Sequence, residues 1–188
     1  TSTRTIGNYL RGRLPAVLDA PMNFVDVQDV AAGHLLAADR GKPGERYILG
    51  GTNGTWPGLI NRVAELSGVH HPTMVLPSGI GRLARVRESL GLPGAISAEA
   101  MALMGQDWRF TAKKARDELG FQDCPLDDTI RNTIDWYLEL IEAGAFADSR
   151  GSNLSRIADS MQLASKLGLL TPVRLGQRVT GRQFVAGV

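Results

Sequence analysis

The chain has 188 residues, 43% of them apolar and 21% charged, which is enough for one well-filled domain. Its single cysteine, Cys124, excludes an internal disulfide and a cysteine-built zinc site. No apolar run approaches the ~20 residues of a membrane-spanning helix, and the opening TSTRTIGNYLRGR lacks a signal-peptide core, so the expected location is the cytoplasm with no membrane partner.

The net charge of +2 is unevenly spread. Residues 1–150 hold 16 Lys/Arg and 18 Asp/Glu, whereas residues 151–188 hold five Lys/Arg and only Asp159. Arg174, Arg178 and Arg182 stand without the interleaved aromatics that stack bases, so nucleic acid is not an expected partner.

In chain order, Ile6, Tyr9 and Leu10 fall on one face of a short helix that Gly12 and Pro15 end. AVL and NFVDV read as extended pieces. Asp26 or Asp29 then caps a helix over residues 27–39, and RYILGG reads as a strand covered on both faces. The expected core of neighbouring parallel strands is Phe24, Val25, Val27, Ile48 and Leu49. Thr55 caps a helix to Leu66, with Pro57 in its first turn. TMVLP is the next strand, followed by helices near residues 80–90 and 97–105 and a short extended WRF. Thr111 opens AKKARDELG, which Gly120 closes. A long amphipathic helix over residues 126–143 turns Ile130, Ile134, Tyr137, Leu138 and Ile141 to one side. Residues 145–152 read as a linker and 153–167 as one more amphipathic helix. The final residues, TPVRLGQRVTGRQFVAGV, show no convincing pattern.

Strands alternate with helices only in the first 80 residues. This predicts an α/β chain: the last parallel strands of a doubly wound sheet with a mostly helical lobe. Such a half-sheet has an open edge, which either drives association or is covered by the tail helix through Leu154, Ile157 and Met161.

Several motifs tempt and fall short. Gly79-x-Gly81-x-x-Ala84 matches the dinucleotide fingerprint in form, yet Pro77 interrupts its approach and no second strand with a ribose-binding acid follows. LGGTNG is no Walker loop, because no Gly-Lys-Ser/Thr follows. Tyr9-x-x-x-Arg13 imitates the Tyr-x-x-x-Lys of short-chain dehydrogenases only in outline, since arginine differs from lysine in bulk and shape. His34 sits on an apolar helix, and the adjacent His70 and His71 lack metal-site spacing. No catalytic, cofactor-binding or metal-ligating residue is therefore assigned within the chain.

Four segments in order carry a resemblance. They are NFVDVQDVAAGHLLAADRGKPGERYILGGTNGTW, TMVLPSGIGRLA, FTAKKARDELGF and the stretch from Pro125 to Glu139, which ends in TIRNTIDWYLE. Together they resemble the C-terminal half of an extended short-chain dehydrogenase/reductase. The likeness is to the dihydroflavonol 4-reductase-like and NAD-dependent epimerase/dehydratase group, including the hopanoid-associated sugar epimerase type, and covers residues 4–144. It implies a Rossmann-type sheet in which the strand at Phe24 to Val27 feeds a helix through Asp29, and Tyr47 to Leu49 adds another strand. It also implies NAD or NADP as cofactor of a complete enzyme and none for this chain alone. The family's cofactor glycines, catalytic Ser/Thr and Tyr-x-x-x-Lys are expected in a first half upstream.

In the family's nucleotide-sugar epimerases an arginine precedes the strand that Phe24 begins, and its planar fork grips a pyrophosphate. Here Met22 stands at that place, which favours an apolar, carbonyl-bearing small molecule over a nucleotide-sugar. Met22 and Asn23 are accordingly the expected substrate-binding residues. The expected function is the substrate-binding half of an NAD(P)-dependent oxidoreductase. The alternatives are a noncatalytic truncated paralogue or partner-binding module, and a sugar epimerase/dehydratase fragment. Expected partners are a small-molecule substrate and a complementary N-terminal half or a second copy. Three regions are expected: residues 1–144 as Rossmann strands and substrate lobe, 145–152 as linker, and 153–188 as a helical, basic tail.

Overall fold

The computed structural model describes residues 2–80, 88–89, 98–145 and 153–187. Helix α1 (Ser2–Leu10) buries Ile6, Tyr9 and Leu10, and the chain turns at Gly12, whose φ of 65° an L side chain rarely adopts. Strands β1 (Ala16–Asp19) and β2 (Pro21–Phe24) follow, then helix α2 (Val27–Arg40). Strand β3 (Thr52–Thr55) leads directly into α3 (Trp56–Ser67), where the Thr55 hydroxyl accepts the Gly58 N–H as expected of an N-cap. Strand β4 (Thr73–Pro77) ends in a single 3-10 turn at Ser78–Ile80.

Helices α4 (Ala98–Met104), α5 (Lys113–Leu119) and α6 (Leu126–Glu142) come next. The tail contributes α7 (Asn153–Lys166), α8 (Thr171–Thr180) and β5 (Val185–Ala186). Most of the helix expected at 80–90 and most of the expected linker lie outside the described residues.

The fold is α/β. One sheet has the order β1-β4-β5, with β1 and β4 parallel in the register Val17 to Val75, while β2 and β3 form a separate antiparallel pair. Helices α1, α3 and α6 pack around this framework, and their core includes Tyr9, Leu18, Ile60, Val63, Ile130 and Ile134. The α1–α6 approach is very close: a Cβ built on Gly7 would stand 2.2 Å from the Tyr137 ring. A smaller cluster of Ala112, Ala115, Leu119 and Phe121 joins α5 to α2.

The expected core of neighbouring parallel strands is corrected in part. Phe24 is buried, and Val25 and Leu49 are half-buried against the smaller cluster, but Val27 is 79% exposed and Ile48 50% exposed. The strand ends at Phe24 because Asp26 caps α2, its carboxylate accepting the Gln28 N–H at 2.8 Å, and Val27 becomes the first helical residue. Residues 46–50 form no strand, since a strand exists only where a neighbour completes its ladder. Pairing begins later, at Thr52, and runs antiparallel to β2.

The tail is also better ordered than its sequence pattern suggests. Strand β5 adds antiparallel to the β4 edge in the register Thr73 to Ala186, and both Val185 and Ala186 are buried. The β4 edge is thus covered by a strand rather than by the Ile157 face of α7, while β1 stays at the sheet's other edge: Ile157 is exposed, and Ala158 is the residue that packs inward.

Candidate substrate site

One cavity opens beside β2 and another beside β1. The larger, about 650 Å3, is an open cleft between α1, the chain from Asn23 to Gln28, and α6, where Thr129, Asn132, Thr133 and the exposed Trp136 line its far wall. The smaller, about 200 Å3, is lined by Thr5, Leu14, Ala16, Val17, Leu18, Trp56, Leu76 and Met104, with no charged residue among them.

Asn23 holds the lip of the cleft. Its amide donates to Gly51 O at 3.0 Å and to Asn53 Oδ1 at 2.7 Å, and its own Oδ1 accepts the Gly51 N–H at 3.0 Å. Asn53 extends this network by donating to Phe110 O and accepting the Phe110 N–H, while the Trp108 N–H bonds Pro21 O. The WRF segment is therefore pinned to the β2–β3 pair. Met22, the neighbour of Asn23, does not line the cleft; it lies partly buried against the main core.

Trp56 is the residue that sequence reasoning missed. It is only 8% exposed, its ring meets that of Phe24 edge-on at 5.6 Å, and its Nε1 is closed to solvent with no acceptor among the described residues. Nothing in NGTWPG distinguishes such a tryptophan from an ordinary core residue. Only the chamber beside it and the missing acceptor do so.

The remaining candidates resolve into structure. Tyr9 is fully buried, its hydroxyl between Val69 O, Gly187 O and the His71 N–H, and burial pushes its pKa up although the His71 bond works the other way. His34 Nδ1 lies 2.7 Å from Val30 O on an exposed helix face. Among the described residues no group of three His, Cys, Asp or Glu is arranged to hold a metal. Asp29, the second capping candidate, instead accepts the Cys124 N–H at 2.8 Å and ties α2 to the segment before α6. At Gly79 only a three-residue 3-10 turn follows β4, and its φ is not left-handed. A helix that could offer its N-terminus to a pyrophosphate would open only at or beyond Gly81. Gly81 and Ala84 lie outside the described residues.

No protein-family model matches the chain. A protein from Synechocystis sp. named "Putative dihydroflavonol 4-reductase" is 31% identical over 138 residues, which are 69% of this chain and 40% of that protein. The chain belongs to the extended short-chain dehydrogenases/reductases. It spans less than half the length of the relatives it matches. The crystal structure of a nucleoside-diphosphate-sugar epimerase from Pseudomonas aeruginosa superposes with a TM-score of 0.58 at 30% identity, covering 78% of this chain and 44% of that one. The Bordetella bronchiseptica enzyme WbmF, crystallised with NAD+, shares the fold at 23% identity and a TM-score of 0.53, over 85% of this chain and 41% of its own. This chain thus has the α/β fold of NAD(P)-linked reductases and epimerases. No helix among its described residues is long and apolar enough to cross a membrane.

Proposed function

We propose that the chain forms the substrate-binding half of an NAD(P)-dependent oxidoreductase that acts on a carbonyl or alcohol group of a largely apolar small molecule. The observation that carries this reading is Trp56, which lines an apolar chamber of about 200 Å3 and whose indole N–H is buried with no acceptor among the described residues. A buried donor left unpaired costs ~1–3 kcal/mol. A substrate oxygen that meets Nε1 after a small tilt of the ring removes that cost and is oriented by the same bond. The leucines and Met104 around it exclude water, and the uncharged lining disfavours a diphosphate.

In this reading residues 1–144 are the working lobe, 145–152 a linker and 153–188 an appended basic tail. Met22 and Asn23 act on the substrate side from β2, Asn23 by bracing β2 against β3 at the larger cleft and Met22 from the core behind it. A complementary N-terminal half holds NAD or NADP; this chain alone holds neither. The sugar epimerase reading draws on the Pseudomonas relative's name. Met22, where that reading calls for an arginine, speaks against it.

The test is a chimera that joins this chain to the N-terminal part of the Synechocystis relative. NADH and NADPH oxidation is followed with apolar ketones and aldehydes, and epimerisation with nucleotide-sugars. Oxidation with the apolar carbonyls is expected, with Trp56→Phe raising KM about tenfold and Met22→Arg shifting preference towards phosphorylated substrates. A folded, NADPH-binding chimera that only epimerises nucleotide-sugars, or turns over neither class, refutes the assignment.

A further inference from the structure

The tail presents an apolar surface that the fold itself forces outward. On α8, Gln177 faces the body: its Oε1 accepts the N–H groups of Phe184 and Val185 at 2.7 and 2.5 Å. At about 100° per residue, Leu175 and Val179 then stand nearly opposite Gln177. They are 56% and 86% exposed. On α7, Ala158 packs inward and the Gln162 amide donates to Gly12 O at 2.7 Å, which leaves Leu163 and Leu167, one turn apart, exposed on the other side. Leu169, in the turn between the helices, is exposed as well. Large aliphatic side chains left exposed on two successive short helices mark a contact surface.

Charge identifies what it contacts. Residues 153–188 carry five Lys/Arg and one acid, and Arg156, Lys166, Arg178 and Arg182 are all exposed around the leucines. A second copy of this chain fits poorly, because a two-fold contact sets the same +4 segment against itself. The exposed residues are aliphatic, without the tryptophan and tyrosine anchors usual at protein interfaces. Leucines to enter acyl chains and a basic fringe to meet phosphates are the features of an interfacial helix on an anionic bilayer.

We propose that the successive helices α7 and α8 dock the protein in the interfacial plane of a membrane leaflet rich in anionic lipid. Attachment of this kind needs no spanning helix. It is independent of the substrate assignment.

Co-sedimentation of the 188-residue chain with vesicles of phosphatidylcholine, alone or mixed with phosphatidylglycerol, tests the proposal. Binding is expected to be at least ~10-fold tighter to the mixed vesicles and to weaken in high salt. Leu175→Asp combined with Val179→Asp should lower it by ~10-fold or more with an unchanged melting temperature, since both positions are exposed. Arg178→Glu should lower it through charge alone. Absence of binding, or equal binding to neutral vesicles, overturns the proposal. So does a vesicle-free dimer, seen by sedimentation velocity, that the double variant abolishes, because the surface then belongs to a second copy.

Discussion

The Tyr9 hydroxyl lies 3.0 Å from the carbonyl oxygen of Gly187, 178 residues further along the chain. The same hydroxyl lies 2.9 Å from Val69 O and accepts the His71 N–H at 3.1 Å, so one buried phenol joins α1, the turn before β4 and the tail. Tyr9→Phe keeps the ring and strands one buried and two partly buried backbone groups. The expected cost is ~1–3 kcal/mol by urea denaturation, together with faster protease cleavage after α8. An unchanged cleavage pattern contradicts the role given to this contact.

Gly7 fixes how closely α1 can approach α6. With a Cβ there only 2.2 Å from the Tyr137 ring, Gly7→Ala must displace the ring or part the helices. A loss of ~1–3 kcal/mol is expected by thermal melting, even though alanine is the better helix former. Gly7→Ala with Tyr137→Leu should recover part of it. Failure of that rescue would place the strain elsewhere.

His71 predicts an acid-side loss of stability. Burial lowers its pKa from the ordinary 6.5, with the charge on Lys166 acting in the same direction and a Leu10 backbone bond opposing. A histidine held neutral in the fold takes up a proton more readily when unfolded. Its contribution is therefore fully present above the unfolded pKa and is lost as pH falls through it. The melting temperature should drop between pH 7.5 and pH 5 more steeply in the native chain than in His71→Gln. Parallel curves would remove His71 as the cause.

Cys124 should be a slow thiol. The Thr129 hydroxyl, 2.9 Å from Sγ, favours the thiolate, but burial and the charges of Asp29 and Asp26 outweigh it and push the thiol pKa up. Alkylation by iodoacetamide at pH 8 is expected to run several-fold slower than in the unfolded chain, and Asp29→Asn should speed it. Mass spectrometry of the labelled peptide measures both rates. Equal rates in native and unfolded protein would be incompatible with this environment.

The sequence is legible where short-range chemistry decides the outcome. The Thr55 cap, the Gly120 stop and the buried stripe of Ile130, Ile134 and Tyr137 depend on neighbours within a turn or two. Ile48 misleads because an apolar run says nothing about whether a partner strand lies beside it. The tail misleads for the converse reason: QFVAG is too short to announce a strand, and β4 together with Asn61, Gln177 and Tyr9 makes it one. For the candidate site, the expectation at Met22 and Asn23 rests on the family resemblance alone. Trp56 is invisible at that level, because an unpaired N–H is a property of three-dimensional surroundings.

The pairing of β5 with β4 also bears on how the molecule reaches its native state. Val185 and Ala186 meet Met74 and Thr73 more than a hundred residues away in sequence, so closing that ladder confines a long stretch of chain before any bond repays it. Strands β1 and β4, which pair Val17 with Val75, and helices α1 and α3 have far less chain between them, which orders the events: that part of the body condenses first and the tail strand zips on later. Substitutions in β5, such as Val185→Ala, are therefore expected to accelerate unfolding while leaving the refolding rate nearly unchanged. The last strand added in space acts as a latch on the escape route and takes no part in the nucleus.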